Sequence, residues 1–285
     1  MSFRKETIPI QKIHPTAIIE EGAQLASDVV VGPYSIIGKD VKIGKGTVIH
    51  EHVLITGWTT IGEDNEIFKG AVIGEAPQDL GYKGERSYVN IGNKNNIREY
   101  VTIHRGAEAD GETVIGNENL LMAYCHIAHN CHLGNQIIMA NYIGLAGHVV
   151  VEDQVVFGGL SGIHQYARIG RLAMIGGYSK IIQDIPPFVL VEGLPVRILS
   201  LNSVGMRRRG IGSESRNALK SAIALLTSRK YKRRELPDVI RNNVDLTPEV
   251  EHLIDFISRP SKKGLLMQAP HKNMDQYKER IGEIA

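Results

Sequence analysis

The sequence predicts a mainly β protein: a β-helix of hexapeptide repeats over residues 1–195, then a C-terminal α-helical domain over residues 196–285. Three observations carry this reading. An aliphatic residue, or once each Met and Phe, returns every sixth position from Ile13 to Ile181, and the gaps Ile73 to Ile91 and Ile103 to Ile115 are whole multiples of six. Such a period fits neither a helix nor a simple strand and marks a coil built from short flat strands and turns. The composition agrees, since 30 glycines and 6% aromatic residues suit a narrow core filled by one medium aliphatic side chain per repeat. After Gly193-Leu194-Pro195 the period changes.

The elements follow in order. The first repeats centre on Ile13, Ile19, Leu25 and Val31, and many later ones read Ile-Gly, as at Ile43-Gly44, Ile91-Gly92 and Ile169-Gly170. Glycine accepts the backbone angles of a tight corner. Residues 74–90 and 105–112 break the rhythm and read as loops leaving the coil, a usual place for function on a rigid scaffold. Pro186-Pro187 should end the array, because proline donates no ladder hydrogen bond. Ser213 should cap a helix running to about Arg229, with Leu219, Ile223 and Leu226 on one stripe. Shorter helices are expected near 235–243 and 247–258, and the helical part should cap an open end of the coil. Residues 269–285 are polar and carry no readable pattern.

Composition excludes several classes. A chain of 285 residues with 42% hydrophobic content can hold a repeat domain and one smaller domain. A net charge of +2 implies no strong field and no nucleic-acid partner. The start Met1-Ser2-Phe3-Arg4-Lys5 precedes no apolar run, so no signal peptide is expected, and no stretch is long and apolar enough for a membrane span. Cys125 and Cys131 sit one hexapeptide apart, on neighbouring faces of a three-sided coil, which argues against a disulfide and for a cytoplasmic setting.

The histidines are the informative polar residues. With three hexapeptides per coil, and six residues inserted by the loop after His104, five of the eleven histidines fall in one band: His104, His126, His129, His148 and His164. Stacking at the strand spacing makes that band roughly 14 Å long. His14, His50, His52 and His132 fall outside it. Three readings compete. Histidines at corners can simply be solvated. His126, His129 and His132, spaced by three, could offer zinc three imidazoles, but the first and last lie on different faces with no acidic ligand nearby. A neutral imidazole can also take a proton from a hydroxyl as a general base, and this reading is preferred.

Several longer motifs then set a family resemblance. They are Gln78-Asp79-Leu80; Ile97-Arg98-Glu99 with Thr102-Ile103-His104-Arg105-Gly106; His126-Ile127-Ala128-His129; Leu145-Ala146-Gly147-His148; Ile163-His164-Gln165-Tyr166; and Asn202 with Arg207-Arg208-Arg209-Gly210. Over residues 13 to about 267 the chain resembles the bacterial UDP-N-acetylglucosamine O-acyltransferases, which start lipid A synthesis. The resemblance implies a left-handed parallel β-helix, a homotrimer with sites between subunits, and transfer of a 3-hydroxyacyl chain from acyl carrier protein to the sugar 3-hydroxyl. It implies no cofactor and no metal. By the same resemblance His129 is the general base and the Gly147 N–H stabilises the oxyanion. Gln78 belongs to the substrate-binding loop, Asp79 and His126 hold the sugar, and His104 and His148 lie near the reacting groups. His164 and Gln165 meet the nucleotide side, while Asn202, Arg208 and Arg209 meet the nucleotide and its phosphates, which guanidinium forks suit.

Three positions depart from the family pattern. Asn130 replaces an aspartate after the base, Val204 a glutamate, and Gly81 a lysine. Gly177 falls where the family sets the floor of its acyl groove, so a long chain is expected, although a turn alone would also use a glycine there. The run Lys230, Lys232, Arg233, Arg234 suits either an acidic carrier protein or plain solvation. Alternatives are the same fold acting on a 3-amino UDP-sugar, the related N-acyltransferase, a zinc-dependent hydratase of the carbonic anhydrase type, and a non-catalytic scaffold. The N-acyltransferase would need an N-terminal domain for which repeats starting at Ile13 leave no room.

Overall fold

The computed structural model describes residues 12–268. The expectations for Met1 to Lys5 and for residues 269–285 lie outside these. Short strands, mostly of two residues, wind into a three-faced prism. The first face runs from Ile18–Ile19 to Lys180–Ile181 (nine strands), the second from Gln24–Leu25 to Arg168–Ile169 (eight), and the third starts at Val30–Val31. Cα partners such as Ile18 and Ile36 are one 18-residue coil apart and parallel. This is the left-handed parallel β-helix.

The hexapeptide row is the core. From Val31 to Ile181 every member is at most 4% exposed. Burying one such side chain is worth about 1.5–3 kcal/mol, and the row as a whole works against an ordering cost of about 1–2 kcal/mol per residue. A second inward position lies two residues earlier and takes smaller side chains, among them Val29, Ala71, Cys125, Cys131 and Ala173. The two cysteines are free, and burial pushes their thiols up to about 11 and about 12, so they are inert fillers.

Two coils are longer than the repeat. Val72 lies opposite Thr102, so that coil holds twelve extra residues, and Thr102 lies opposite His126, so the next holds six extra. Every later histidine therefore returns to the expected phase.

Pro186-Pro187 do not end the array. They occupy a corner, where no ladder N–H is needed, with Pro187 packed directly on Gly170. The chain then adds Val189–Gly193, parallel to Met174–Ile175 on the third face, and folds back antiparallel as Val196–Leu201. Four α-helices follow among the described residues: α1 Ser203–Arg208, α2 Ser213–Thr227, α3 Leu236–Asn243 and α4 Pro248–Ser258. Leu219, Ile223 and Leu226 do form the buried stripe of α2. Ser213 is not its cap, however. Gly212 holds that position without a side-chain bond, and the helix stops at Thr227. Thr247 caps α4 by accepting the Val250 N–H. The helices are pinned to the last coils by charged pairs. Arg168 meets the fully buried Asp184 at 2.7 Å and stacks on Phe256, and Glu152 meets His252 at 2.8 Å. No described helix is long and apolar enough to cross a membrane.

Candidate active site

The edge between the first and second faces gathers the chemistry. Its corner residues Asn130, His148 and Tyr166 sit in the left-handed region, with φ of 57°, 61° and 66°. Stacking of identical corners on successive coils puts their side chains over one another. The His148 ring lies flat on Tyr166 at 4.5 Å and edge-on to His129 at 5.2 Å, and His104 is edge-on to His126 at 5.2 Å. Four of the five histidines of the band are thus packed in two touching pairs. His164 is exposed on the coil beyond, with Gln165 beside it.

His129 is held by its neighbour. Its Nδ1 is 2.9 Å from Asn130 Oδ1. That oxygen also accepts the Ala107 N–H at 3.0 Å, while Asn130 Nδ2 donates to Glu108 Oε1 at 2.9 Å. The amide orientation is therefore fixed, and Nδ1 of His129 must carry the proton. In the neutral ring Nε2 is then the acceptor, and it lies 3.6 Å from Asp79 Oδ2. Asp79 arrives on the first loop, where its Oδ1 accepts the Gly81 N–H at 2.7 Å. Arg105 anchors that loop, donating to Gly74 O at 2.7 Å and to the Tyr82 hydroxyl at 2.9 Å.

Gly147 lies on the imidazole. A Cβ there would sit 2.5 Å from His129 Cε1, so no other residue lets the ring occupy this place. No backbone carbonyl among the described residues accepts the Gly147 N–H. Burial, more than any charge, holds His104, His126 and His148 below the ordinary histidine range, so all three are neutral at pH 7. His126 Nδ1 is 2.7 Å from the Thr102 hydroxyl, and buried His104 keeps an Nδ1 with no partner among the described residues.

From this edge a groove of ≈ 440 Å³ crosses the first face. Gly144 and Gly162, Cα partners on adjacent coils, form its floor, with His126, His164 and Lys180 at its sides. An added Cβ at either glycine would meet nothing within 4 Å, so both are open to whatever lies in the groove.

A tautomer-fixed imidazole, a glycine amide beside it and an adjoining apolar groove suit acyl transfer, and the comparisons agree. A family model described as UDP-N-acetylglucosamine O-acyltransferase, domain 2, matches residues 184–266, and one described as bacterial transferase hexapeptide matches residues 22–57. The acyl-[acyl-carrier-protein]–UDP-N-acetylglucosamine O-acyltransferase of Thermodesulfovibrio yellowstonii is 50% identical over 257 residues, which is 90% of this chain and 99% of that protein. That of Paraburkholderia phymatum is 43% identical over 262 residues, 90% of this chain and 100% of the other. The crystal structure of UDP-N-acetylglucosamine O-acyltransferase from Moraxella catarrhalis is 44% identical and superposes with a TM-score of 0.86, covering 90% of this chain and 99% of that one. The chain belongs to the UDP-N-acetylglucosamine O-acyltransferase family.

Not every expected site residue of this family member meets the others within one chain. His104, Asp79, His126, His129, Gly147 and His148 come together; Gln78 is exposed on the same loop as Asp79. Arg209 is elsewhere, donating to Gln136 Oε1 at 2.8 Å on the edge between the second and third faces. Arg208 ends α1, exposed. Asn202 is buried and committed to its own chain: Oδ1 accepts the Gly205 N–H and Nδ2 donates to Leu172 O, both at 2.9 Å. Gly177 is on the third edge, where a Cβ would meet Gly159 O at 3.3 Å. Val204 is exposed beside Ser203. His132 is exposed on the second face, away from His126, so the zinc triad does not form, and no metal-holding cluster occurs among the described residues. Of the second basic run, Arg233 is spent on the Ile257 and Arg259 carbonyls at the end of α4. Sequence reasoning gave no role to Glu108, Thr102, Tyr166, Gly144 or Gly162; Thr102 and Tyr166 lie inside the motifs quoted above, the two glycines recur 18 residues apart at one repeat position, and Glu108 left no signal.

Proposed function

We propose that this chain transfers a 3-hydroxyacyl group from acyl carrier protein to the 3-hydroxyl of UDP-N-acetylglucosamine, the first step of lipid A synthesis. One observation carries the reading: His129 has its Nδ1 tied to Asn130 Oδ1, its Nε2 available as an acceptor in the neutral ring, and Gly147 in contact with its ring, next in sequence to Ala146 of the groove lining. In this mechanism Nε2 removes the sugar hydroxyl proton, and the oxygen attacks the thioester carbonyl. The Gly147 N–H meets the oxyanion, and as that collapses and the C–S bond breaks, the imidazolium gives its proton to the departing thiolate of the carrier, which leaves as the thiol. Asp79, at 3.6 Å from Nε2, gives way to the sugar hydroxyl and holds the sugar with His126. Neutral His104 and His148 line the reacting centre without opposing the charge that His129 gains. The acyl chain follows the glycine floor, and Gly177 bounds it.

His164, Gln165, Arg208 and Arg209 bind the nucleotide side, with Asn202 holding the start of the helix that carries the arginines. Because the base and Arg209 occupy different edges of one prism, a homotrimer is the arrangement that unites them. An exposed ridge of Tyr100, Tyr124, Tyr142, Leu160 and Tyr178 on the third edge supports burial against a second copy. The division of labour follows the chain. The repeat domain, 1–195, supplies the base and groove, and the helical domain, 196–285, supplies the arginines. Exposed Lys230, Lys232 and Arg234 suit the acidic carrier protein, and the setting is cytoplasmic.

The test is incubation with UDP-N-acetylglucosamine and a ladder of 3-hydroxyacyl carrier proteins, with products identified by mass. A 3-O-acylated sugar nucleotide is expected. Product only from a 3-amino UDP-sugar would overturn the acceptor assignment, and no product from either would overturn the reading.

A further inference from the structure

We infer that Glu108 is a positioning residue for the base, acting on His129 through the Asn130 amide; the proposal rests on the acyl-transfer reading above. An asparagine beside a histidine has two ends of equal shape and opposite polarity. With Oδ1 towards the ring, Nδ1 keeps the proton and Nε2 can accept one. With Nδ2 towards the ring, the proton moves to Nε2 and the base is lost. Two contacts make the choice. The Ala107 N–H can only donate, and it meets Oδ1 at 3.0 Å; the Glu108 carboxylate can only accept, and it meets Nδ2 at 2.9 Å.

The loop is shaped for this. Residues 108–111 close a turn in which the Gly111 N–H donates to Glu108 O at 2.9 Å, and Asp110 takes a φ of 58°. Gly111 lets both partners approach, since a Cβ there would lie 2.8 Å from Glu108 Cδ and 3.0 Å from Asn130 Nδ2. Asn130 itself is 7% exposed, and its own N–H is held by Thr113 Oγ1 at 2.9 Å. The residue after the base thus has no freedom to compensate. An aspartate there would set two carboxylates where Nδ2 and Oε1 now bond, which is why asparagine and Glu108 belong together in this chain.

The experiment is a double-mutant cycle with Glu108→Gln, Asn130→Asp and both together. Asn130→Asp alone should lower kcat about tenfold or more with KM little changed, the mark of a group acting on the chemical step. Glu108→Gln keeps a weaker, neutral acceptor and should cost about two- to fivefold. The double variant reverses the polarity of the pair, with the glutamine amide donating to the new carboxylate, and should recover kcat to within about threefold of the native enzyme. A native kcat for Asn130→Asp, or a double variant no faster than Asn130→Asp, overturns the proposal. The 15N shifts of the His129 ring, assigned by difference from His129→Gln, read the tautomer without turnover. Native protein should show the proton on Nδ1, and Glu108→Ala a mixture. An unchanged tautomer in Glu108→Ala overturns the positioning role even if the native protein acylates nothing, whereas absent native turnover with the expected tautomers overturns only the acyl-transfer reading.

Discussion

Two edges of the prism share one backbone geometry and use it for opposite ends. On the edge between the second and third faces, Asn65, Asn95 and Asn119 are 1% exposed and bond in a ladder. Each Oδ1 takes the backbone N–H of the coil above, as Asn119 does from Ile137 at 2.8 Å, and each Nδ2 donates to a backbone carbonyl such as Gly134 O at 3.0 Å. On the histidine edge the polar atoms are less satisfied: among the described residues His104 Nδ1 has no partner and His129 Nε2 lies 3.6 Å from a carboxylate. A saturated ladder contributes stability, and an unsaturated one leaves binding and proton-transfer capacity. Substitutions on the two edges should therefore separate chemistry from folding.

The largest effect is expected at His129. His129→Ala should lower kcat by at least about 10²-fold, the low end for a lost general base, with an unchanged melting temperature. Turnover near the native rate would place the base elsewhere. Gly147→Ala should follow closely, at about 10²-fold, the size of a displaced reacting group. The new methyl would press on the end of a side chain rather than on backbone, so the ring moves and the coil survives. A crystal structure with the ring in its native place and full activity would contradict this.

The opposite edge should answer in the opposite currency. Asn119→Ala strands the Ile137 N–H and the Gly134 carbonyl in the interior, at about 1–3 kcal/mol for each orphaned group. Thermal melts should show the loss, while kcat per folded molecule stays native. A fall in kcat without a fall in stability would mean that the two edges are coupled. A milder change on the catalytic side is one of preference: Gly177→Met should shift the chain profile towards shorter acyl groups by about tenfold, the usual reach of a few methylenes in an apolar pocket. An unaltered profile across the acyl ladder would place the end of the acyl groove away from Gly177 and the third edge.

The contrast also explains what the sequence could reveal. The core row was legible because each hexapeptide repeats one packing problem, and the histidine band followed once coil length was known. The six-residue insertion needed to bring His104 into phase is the one observed. Pairings made by irregular backbone were not legible. Glu108 sits on a loop whose path no period describes, and it reaches Asn130 only through the turn at Gly111. In one dimension Asn130 was only a departure from the aspartate of the family pattern, because its orientation is decided by groups 22 and 23 residues away. The two prolines misled for a related reason: a corner position removes the demand for an N–H that a strand would make.

The smallest effect is in acid. The asparagine ladder has no titratable group, so it is silent between pH 7 and 5, whereas burial holds His104, His126 and His148 below the ordinary histidine value. The sign follows from linkage. The unfolded chain takes up these protons first, at about 6.5, so the stabilisation is complete above that pH and is lost as pH falls through the lower folded-state values. Carboxylates held low by their partners, such as Glu99 beside Arg98, stay ionised in this window and do not obscure it. Melting temperature should therefore decline from about pH 6.5 downward, and the combined His104→Gln, His126→Gln and His148→Gln variant should decline less steeply. Parallel curves for the two proteins would show that these three histidines do not set the acid limit and that the two edges respond to pH alike.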